Sequence, residues 1–198
     1  MNYLAHLYLA DESAESVIGN MLADFVKDDF REKYSDEVCR GILLHRKIDV
    51  FTDAHPVFID SRNRLDEKFR LLKGIIIDVF YDHFLARNWE QFSAVPLEQF
   101  CSRVYAIFHE NRTLLPQRLL KFLPRMISEN WLLSYREVEG ISWTLRGLSN
   151  RLSRKNRMAE SVDELIRHYD VLQSDFMEFF PQVIEYVQSV KLADRSLV

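Results

Sequence analysis

His45, Asp49 and Asp53 recur at four-residue intervals in Gly41-Ile-Leu-Leu-His-Arg-Lys-Ile-Asp-Val-Phe-Thr-Asp, which on a helix sets them on one polar line. A second line follows in Gly74-Ile-Ile-Ile-Asp-Val-Phe-Tyr-Asp-His-Phe-Leu, where Asp78 and Asp82 are again four apart and His83 adjoins the second carboxylate. His6 and Asp24 also lie in apolar surroundings, after Tyr-Leu-Ala and Met-Leu-Ala. Carboxylates inside strongly apolar helices require a cation or a proton, because burying them bare is costly. Mixed oxygen and nitrogen donors without thiolate suit Mn2+, Mg2+ or Fe2+, with Zn2+ also accommodated. A cation held with open positions activates water and neutralises a phosphate, as hydrolysis of a phosphoester requires.

Any one of these aspartates also fits a solvated helix face or a salt bridge, with Arg46 and Lys47 adjacent to supply it. The set as a whole, in such apolar company, favours a metal site between helices. His55, beside Pro56, reads instead as a helix-end residue. His109 and His168 read as packing or surface residues.

The elements that must position these groups are helices. Residues 11–28 read as a helix with Ser13 as N-cap and Val17, Met21, Leu22 and Phe25 on its apolar side. Ser35, followed by Asp36 and Glu37, opens a second helix to about residue 52, and Pro56 marks its exit. A short helix over 56–65 leads into a long one over 66–91. Pro96 suits the first turn of a helix reaching 115, and Pro116 and Pro124 divide the basic stretch that follows. Residues 135–152 read as helical, and Ser161 with Glu164 makes a capping box opening a last helix towards 190, kinked at Pro181.

The 198 residues fit one domain, 1–198, with a substantial core. Five glycines and five prolines leave room for long helices and argue against a many-turned β fold, so the fold class is all-α, a compact helical bundle. A hydrophobic content of 47% with 28% charged residues excludes a disordered chain. No run approaches a membrane span, and the apolar start lacks the basic flank of a signal peptide. With Cys39 and Cys101 matching no metal or redox spacing, a cytoplasmic protein with free thiols is expected.

The net charge of −4 conceals an asymmetry. Residues 111–128 carry Arg112, Arg118, Lys121 and Arg125 without an acid, and 142–159 carry Arg146, Arg151, Arg154, Lys155 and Arg157 without one. An acidic protein with a confined basic face calls for an acidic partner.

Six segments together resemble the bacterial acyl carrier protein phosphodiesterases. They are Asn2-Tyr-Leu-Ala-His-Leu, Gly19-Asn-Met-Leu-Ala-Asp-Phe, His45-Arg-Lys-Ile-Asp-Val-Phe-Thr-Asp, Asp78-Val-Phe-Tyr-Asp-His-Phe-Leu, Ser128-Glu-Asn-Trp-Leu-Leu-Ser-Tyr-Arg and His168-Tyr-Asp-Val-Leu. The resemblance implies an all-helical fold distantly related to the HD-type metal phosphohydrolases. It also implies hydrolysis of holo-acyl carrier protein to apo-protein and 4′-phosphopantetheine, with Mn2+ as the metal. The chain has no His-Asp dipeptide, only the reversed pair Asp82-His83, so the HD relationship is divergent or rearranged.

On this reading Asp24, His45, Asp78, Asp82 and His83 include the metal ligands. Asp49 or Asp53 orients the attacking water or takes its proton, and His6 or Arg46 steadies charge on the phosphate or leaving group. Acyl carrier proteins are small and acidic, so Arg146, Arg151, Arg154, Lys155 and Arg157 would dock one, with Arg118, Lys121 and Arg125 extending the surface. No nucleic acid or membrane partner is expected, and the sequence leaves the oligomeric state open. Two other readings compete: a metal-dependent nucleotide or cyclic-nucleotide phosphohydrolase, and a non-catalytic helical module that binds an acidic protein. The second leaves the apolar-flanked carboxylates unexplained.

Overall fold

The computed structural model describes residues 1–195. It is all-α, with no strand among the described residues. The helices are α1 (Tyr3–Leu9), α2 (Ala14–Leu22), α3 (Asp36–Ala54), α4 (Pro56–Arg64), α5 (Lys73–Arg87) and α6 (Leu97–Glu110). After them come α7 (Gln117–Leu120), α8 (Leu123–Ser128), α9 (Trp131–Ser134), α10 (Val138–Arg151), α11 (Val162–Arg167) and α12 (Tyr169–Arg195). Short 3-10 turns link several of them. None of these helices is long and apolar enough to cross a membrane.

Two expected N-caps are present. Ser13 Oγ accepts from the Ser16 amide at 3.1 Å, and Ser35 Oγ accepts from the Val38 amide at 3.3 Å. Pro56 occupies the first turn of α4, where its missing N–H is no loss. The helices so started, α2 and α3, cross with their backbones in contact at two glycines. A Cβ on Gly19 would lie 2.3 Å from the Val38 carbonyl oxygen, and one on Gly41 would lie 2.7 Å from that of Ser16. Only glycine allows this approach, and it is what brings the Asn20 carbonyl onto α3.

The core behind the site is aromatic. Phe58 of α4, Tyr81 and Phe84 of α5 and Phe176 and Phe179 of α12 are fully buried and meet ring to ring. The Tyr81 hydroxyl is satisfied by Ser61 at 2.8 Å, and Ser61 in turn donates to Asp175 at 2.7 Å. Cys39 and Cys101 are buried free thiols.

Several elements differ from the sequence expectation. Residues 3–9, unassigned there, form α1. The helix expected over 11–28 ends at Leu22, where the amides of Phe25 and Val26 fold back onto the Leu22 carbonyl. Asp24 therefore stands on a turn. The helix expected over 66–91 is broken at Arg70, whose φ of 47° and ψ of −122° interrupt a 3-10 turn before α5 starts. The capping box at Ser161 does not form: its hydroxyl donates to the Met158 carbonyl, and buried Glu164 accepts from the Asp66 amide and from Arg167. Glu164 thus ties α11 to the loop before α5. The chain breaks once more at His168, after which α12 runs through Pro181 as one helix of 27 residues. The helix expected over 135–152 is confined to α10, and its Gly140 lies close against the Ser134 carbonyl of the preceding helix.

Candidate metal and active site

The convergence begins with α3. One turn apart on it, His45 and Asp49 face the inner side of α1, which presents His6. The two imidazoles stack, with ring centroids 3.5 Å apart and planes 9° from parallel. His6 Nε2 lies 3.0 Å from Asp49 Oδ1, and His45 Nε2 lies 3.2 Å from Asp49 Oδ2, so one carboxylate spans both rings. From the turn after α2, half-exposed Asp24 brings Oδ1 to 3.5 Å from His45 Nε2. His6, His45 and Asp49 each offer a donor atom within 4.8 Å of the others, a group able to hold a metal ion.

The surroundings prepare these donors. His45 Nδ1 faces the Asn20 carbonyl at 2.8 Å, so its hydrogen belongs on Nδ1 and Nε2 is directed at the carboxylates. His6 Nε2 also meets the Met1 carbonyl at 3.0 Å, while its Nδ1 is buried without a partner. The α-ammonium of Met1 lies 3.3 Å from Asp49 Oδ1 and 3.0 Å from Asp78 Oδ1, linking the second polar line to the first.

Electrostatics divide the two imidazoles. Burial lowers His45, but the carboxylates of Asp24 and Asp49 outweigh it and raise the ring to about 9. Burial and the neighbouring His45 charge push His6 down to about 3. Asp49, though burial opposes its charge, is held well below the usual carboxylate range by hydrogen bonds from His45 and His6. Asp24 is lowered in the same way, with burial opposing and His45 prevailing. In the metal-free cluster one imidazolium lies between two carboxylates, with a neutral imidazole stacked on it.

The remaining expected site residues have other partners. Asp82 is fully buried and accepts the Leu4 and Ala5 amides at 2.8 and 3.1 Å, which makes it the N-terminal cap of α1. Burial pushes its carboxyl up to about 7 against those two donors. His83 is bound through Nδ1 to the Tyr135 carbonyl at 2.8 Å and through Nε2 to the Tyr169 hydroxyl at 3.0 Å. Asp82 and His83, expected as metal ligands, thus hold structural partners in the metal-free chain, where the start of α1 and the chain at Tyr135 pack onto that face of α5. Asp78 reaches the cluster only through the Met1 ammonium. Asp53 is exposed, a turn beyond Asp49, and does not join the imidazoles. Arg46 lies with its guanidinium 5.0 Å from the centre of the Phe30 ring. His55 sits at the α3–α4 junction, but its ring packs on Phe51 and Phe179 and caps neither helix through its side chain.

Among the basic residues, Arg118 lies 5.8 Å from the Phe25 ring, and Arg151 lies 4.9 Å from Phe122 and 5.8 Å from Trp131. Burial and the Asp24 charge raise the Tyr3 hydroxyl, and the guanidinium charges of Arg151 and Arg118 oppose them. Lys121, Arg146, Arg154 and Lys155 are exposed. Arg125 and Arg157 are exposed too, but they pair with Glu129 and Glu160. Sequence reasoning missed Asn20, whose only signal was a polar residue beside a glycine in an apolar helix.

Family comparison supplies independent evidence. The family model for acyl carrier protein phosphodiesterase matches residues 1–183. A protein of Escherichia coli O6:H1 named acyl carrier protein phosphodiesterase is 37% identical over 190 residues, covering 93% of this chain and 96% of the relative. One of the same name from Enterobacter sp. strain 638 is 36% identical over 197 residues, covering 97% of this chain and all of the relative. No solved structure matches the chain. With the family pattern extending from α1 into α12 and more than a third of positions shared with relatives covered over nearly their whole length, the chain belongs to the acyl carrier protein phosphodiesterase family.

Proposed function

We propose that this protein hydrolyses the phosphodiester joining 4′-phosphopantetheine to a serine of acyl carrier protein, at the His6–His45–Asp49–Asp24 cluster. Family membership supports the reaction, and one geometric observation carries the site: two stacked imidazoles direct Nε2 at the two oxygens of a single carboxylate. The donor set fits a divalent cation, Mn2+ by the family resemblance, with Mg2+ and Fe2+ compatible with the same oxygens and nitrogens. When bound, the cation supplies Lewis-acid chemistry, neutralising phosphate charge and making water acidic enough to react at neutral pH.

The chain's own residues do the rest. His6, His45 and Asp49 would hold the cation, and the Asn20 carbonyl fixes the orientation of His45. Asp24, half open to solvent, lies where it can accept the proton of the attacking water. Arg118 and Arg151, beside Tyr3, would take the non-bridging phosphate oxygens. Water oxygen bonds to phosphorus and the bond from phosphorus to the serine oxygen breaks. The proton removed from water ends on that serine, giving apo-carrier and 4′-phosphopantetheine. The exposed cations Arg146, Arg154, Lys155 and Arg157, with Lys121 and Arg125, would steer the acidic carrier towards this mouth. A cytoplasmic location accords with that substrate.

Mass analysis of holo-carrier incubated with the protein tests the reaction, with Mn2+, with Mg2+ and with a chelator. A loss matching phosphopantetheine in the presence of metal is expected. An unchanged carrier with every divalent cation would sink the proposal.

A further inference from the structure

Between the start of α1 and the helices α8 to α10 lies a cavity of about 650 Å3, within the range of small-molecule sites. Tyr3, Phe122, Trp131, Trp143, Gly147 and Arg151 are among the residues that line it. The N-terminal residues lead from its lining to the candidate site. The Met1 carbonyl touches His6, while the next two residues, Asn2 and Tyr3, line the cavity. Its walls are aromatic: Phe122 and Trp131 stack at 5.9 Å with planes 7° apart, and Trp143 stands 58% exposed, a large indole left in solvent. Arg151 supplies a cation over the Phe122 ring, in a lining shared with Tyr3.

The two glycines of α10 sharpen this. Gly140 is required by packing, since a Cβ there would lie 2.0 Å from the Ser134 carbonyl oxygen. At Gly147 a Cβ would meet nothing within 4 Å. A glycine inside a helix costs about 1 kcal/mol relative to alanine, and no backbone contact accounts for this one. What its missing side chain leaves is an open groove floor.

Resting on the hydrolysis proposed above, we infer that this groove is the subsite for the pantetheine arm of the holo-carrier. The arm is a slender, uncharged chain of two amides with a branched apolar section, joined to an anionic phosphate. Aromatic walls suit its body, and Arg151 suits the phosphate end that must reach the metal cluster. Room at Gly147 lets the chain lie along α10 while phosphorus sits by Asp24.

The test uses the wild-type protein, Gly147→Leu, which fills the floor without a backbone clash, and Trp143→Ala, which removes an exposed wall. Pantetheine itself, lacking phosphate, is titrated into each by calorimetry. Separately, kcat/KM is measured for holo-carrier and for bis(4-nitrophenyl) phosphate, a diester without the arm. Pantetheine is expected to bind the wild type, and both variants to weaken it. The ratio of kcat/KM for holo-carrier to that for the small diester is expected to fall by about tenfold or more in Gly147→Leu. A wild type that gives no heat with pantetheine overturns the subsite, and so does a ratio in Gly147→Leu equal to that of the wild type. Loss of both activities in equal proportion overturns it as well, since that marks a general structural effect. A wild type that binds pantetheine yet never releases phosphopantetheine from holo-carrier would overturn the hydrolysis and leave the groove supported.

Discussion

On α3, His45 and Asp49 stand one turn apart and direct their donor atoms into a half-open cluster with His6 and Asp24. On α5, Asp78 and Asp82 stand one turn apart as well, but Asp82 is sealed against the start of α1 and the neighbouring His83 against Tyr135 and Tyr169. The spacing is the same in both helices. What differs is the surface opposite. Facing α5 are the unpaired amides at the start of a helix, which need an acceptor, and a buried carboxylate is a strong one. Facing α3 are an imidazole and a solvent-reaching turn, which gather side-chain donors around the carboxylate in place of helix amides. A polar line on a helix therefore fixes a face, and the element packed on it decides between structure and chemistry.

The largest effect should separate the two lines outright. His45→Ala and Asp49→Ala are expected to lower kcat on holo-carrier by about a thousandfold or more, because each removes a donor from the reacting centre. Tyr169→Phe, which removes the partner of His83, should keep turnover within about threefold of wild type at the cost of one hydrogen bond of stability. Steady-state kinetics with circular dichroism decide this, and a Tyr169→Phe enzyme as inactive as His45→Ala would erase the distinction. Next in size, Asp82→Ala strands two amides at the start of α1 and should cost about 2 kcal/mol, a fall in Tm of about 4–8 °C in a chain of this size. Thermal unfolding at fixed pH measures it, and an unchanged Tm would count against the cap.

The smallest effect concerns protons. In the metal-free protein the His45 pKa is raised from 6.5 to about 9, burial being outweighed by Asp24 and Asp49. Its contribution to stability is therefore complete below pH 6.5 and lost as pH climbs through about 9. The Asp82 pKa is raised by burial from 3.8 to about 7, so the stability it contributes is complete below 3.8 and lost as pH rises through 7. The two lines thus lose stability in successive windows, and Asp82→Asn should flatten only the lower one. Because His45 must give up its proton for a cation to take Nε2, metal affinity should rise about tenfold per pH unit between pH 7 and 8. Calorimetry in buffers of different ionisation heat would show the released proton, and binding without proton release would remove His45 from the ligand set.

Much of the framework was readable in the residues because its signals are local. Ser13 and Ser35 bond amides three residues on, and Pro56 and Pro96 mark helix starts that the structure keeps. The line on α3 was legible for the same reason. What escaped was set by residues far apart in the chain. Nothing near Asp82 announces that its partners are Leu4 and Ala5, and nothing near Ser161 shows that Glu164 is drawn to the Asp66 amide. The seven-residue α1 was missed because so short a segment has little helical preference of its own. The stacking of His6 on His45 and the partners of Asp82 and His83 depend in the same way on the surface opposite each face.

The cap on α1 also sets an order of events during synthesis. In chain order His6 is made before the other cluster residues, yet the helix that orients it is too short to persist alone. Its amides find their acceptor only when Asp82, 78 positions after Leu4, has followed. The nascent chain therefore holds both histidines and Asp49 long before it can arrange them, and the site can close only after α5 has docked on the first helix.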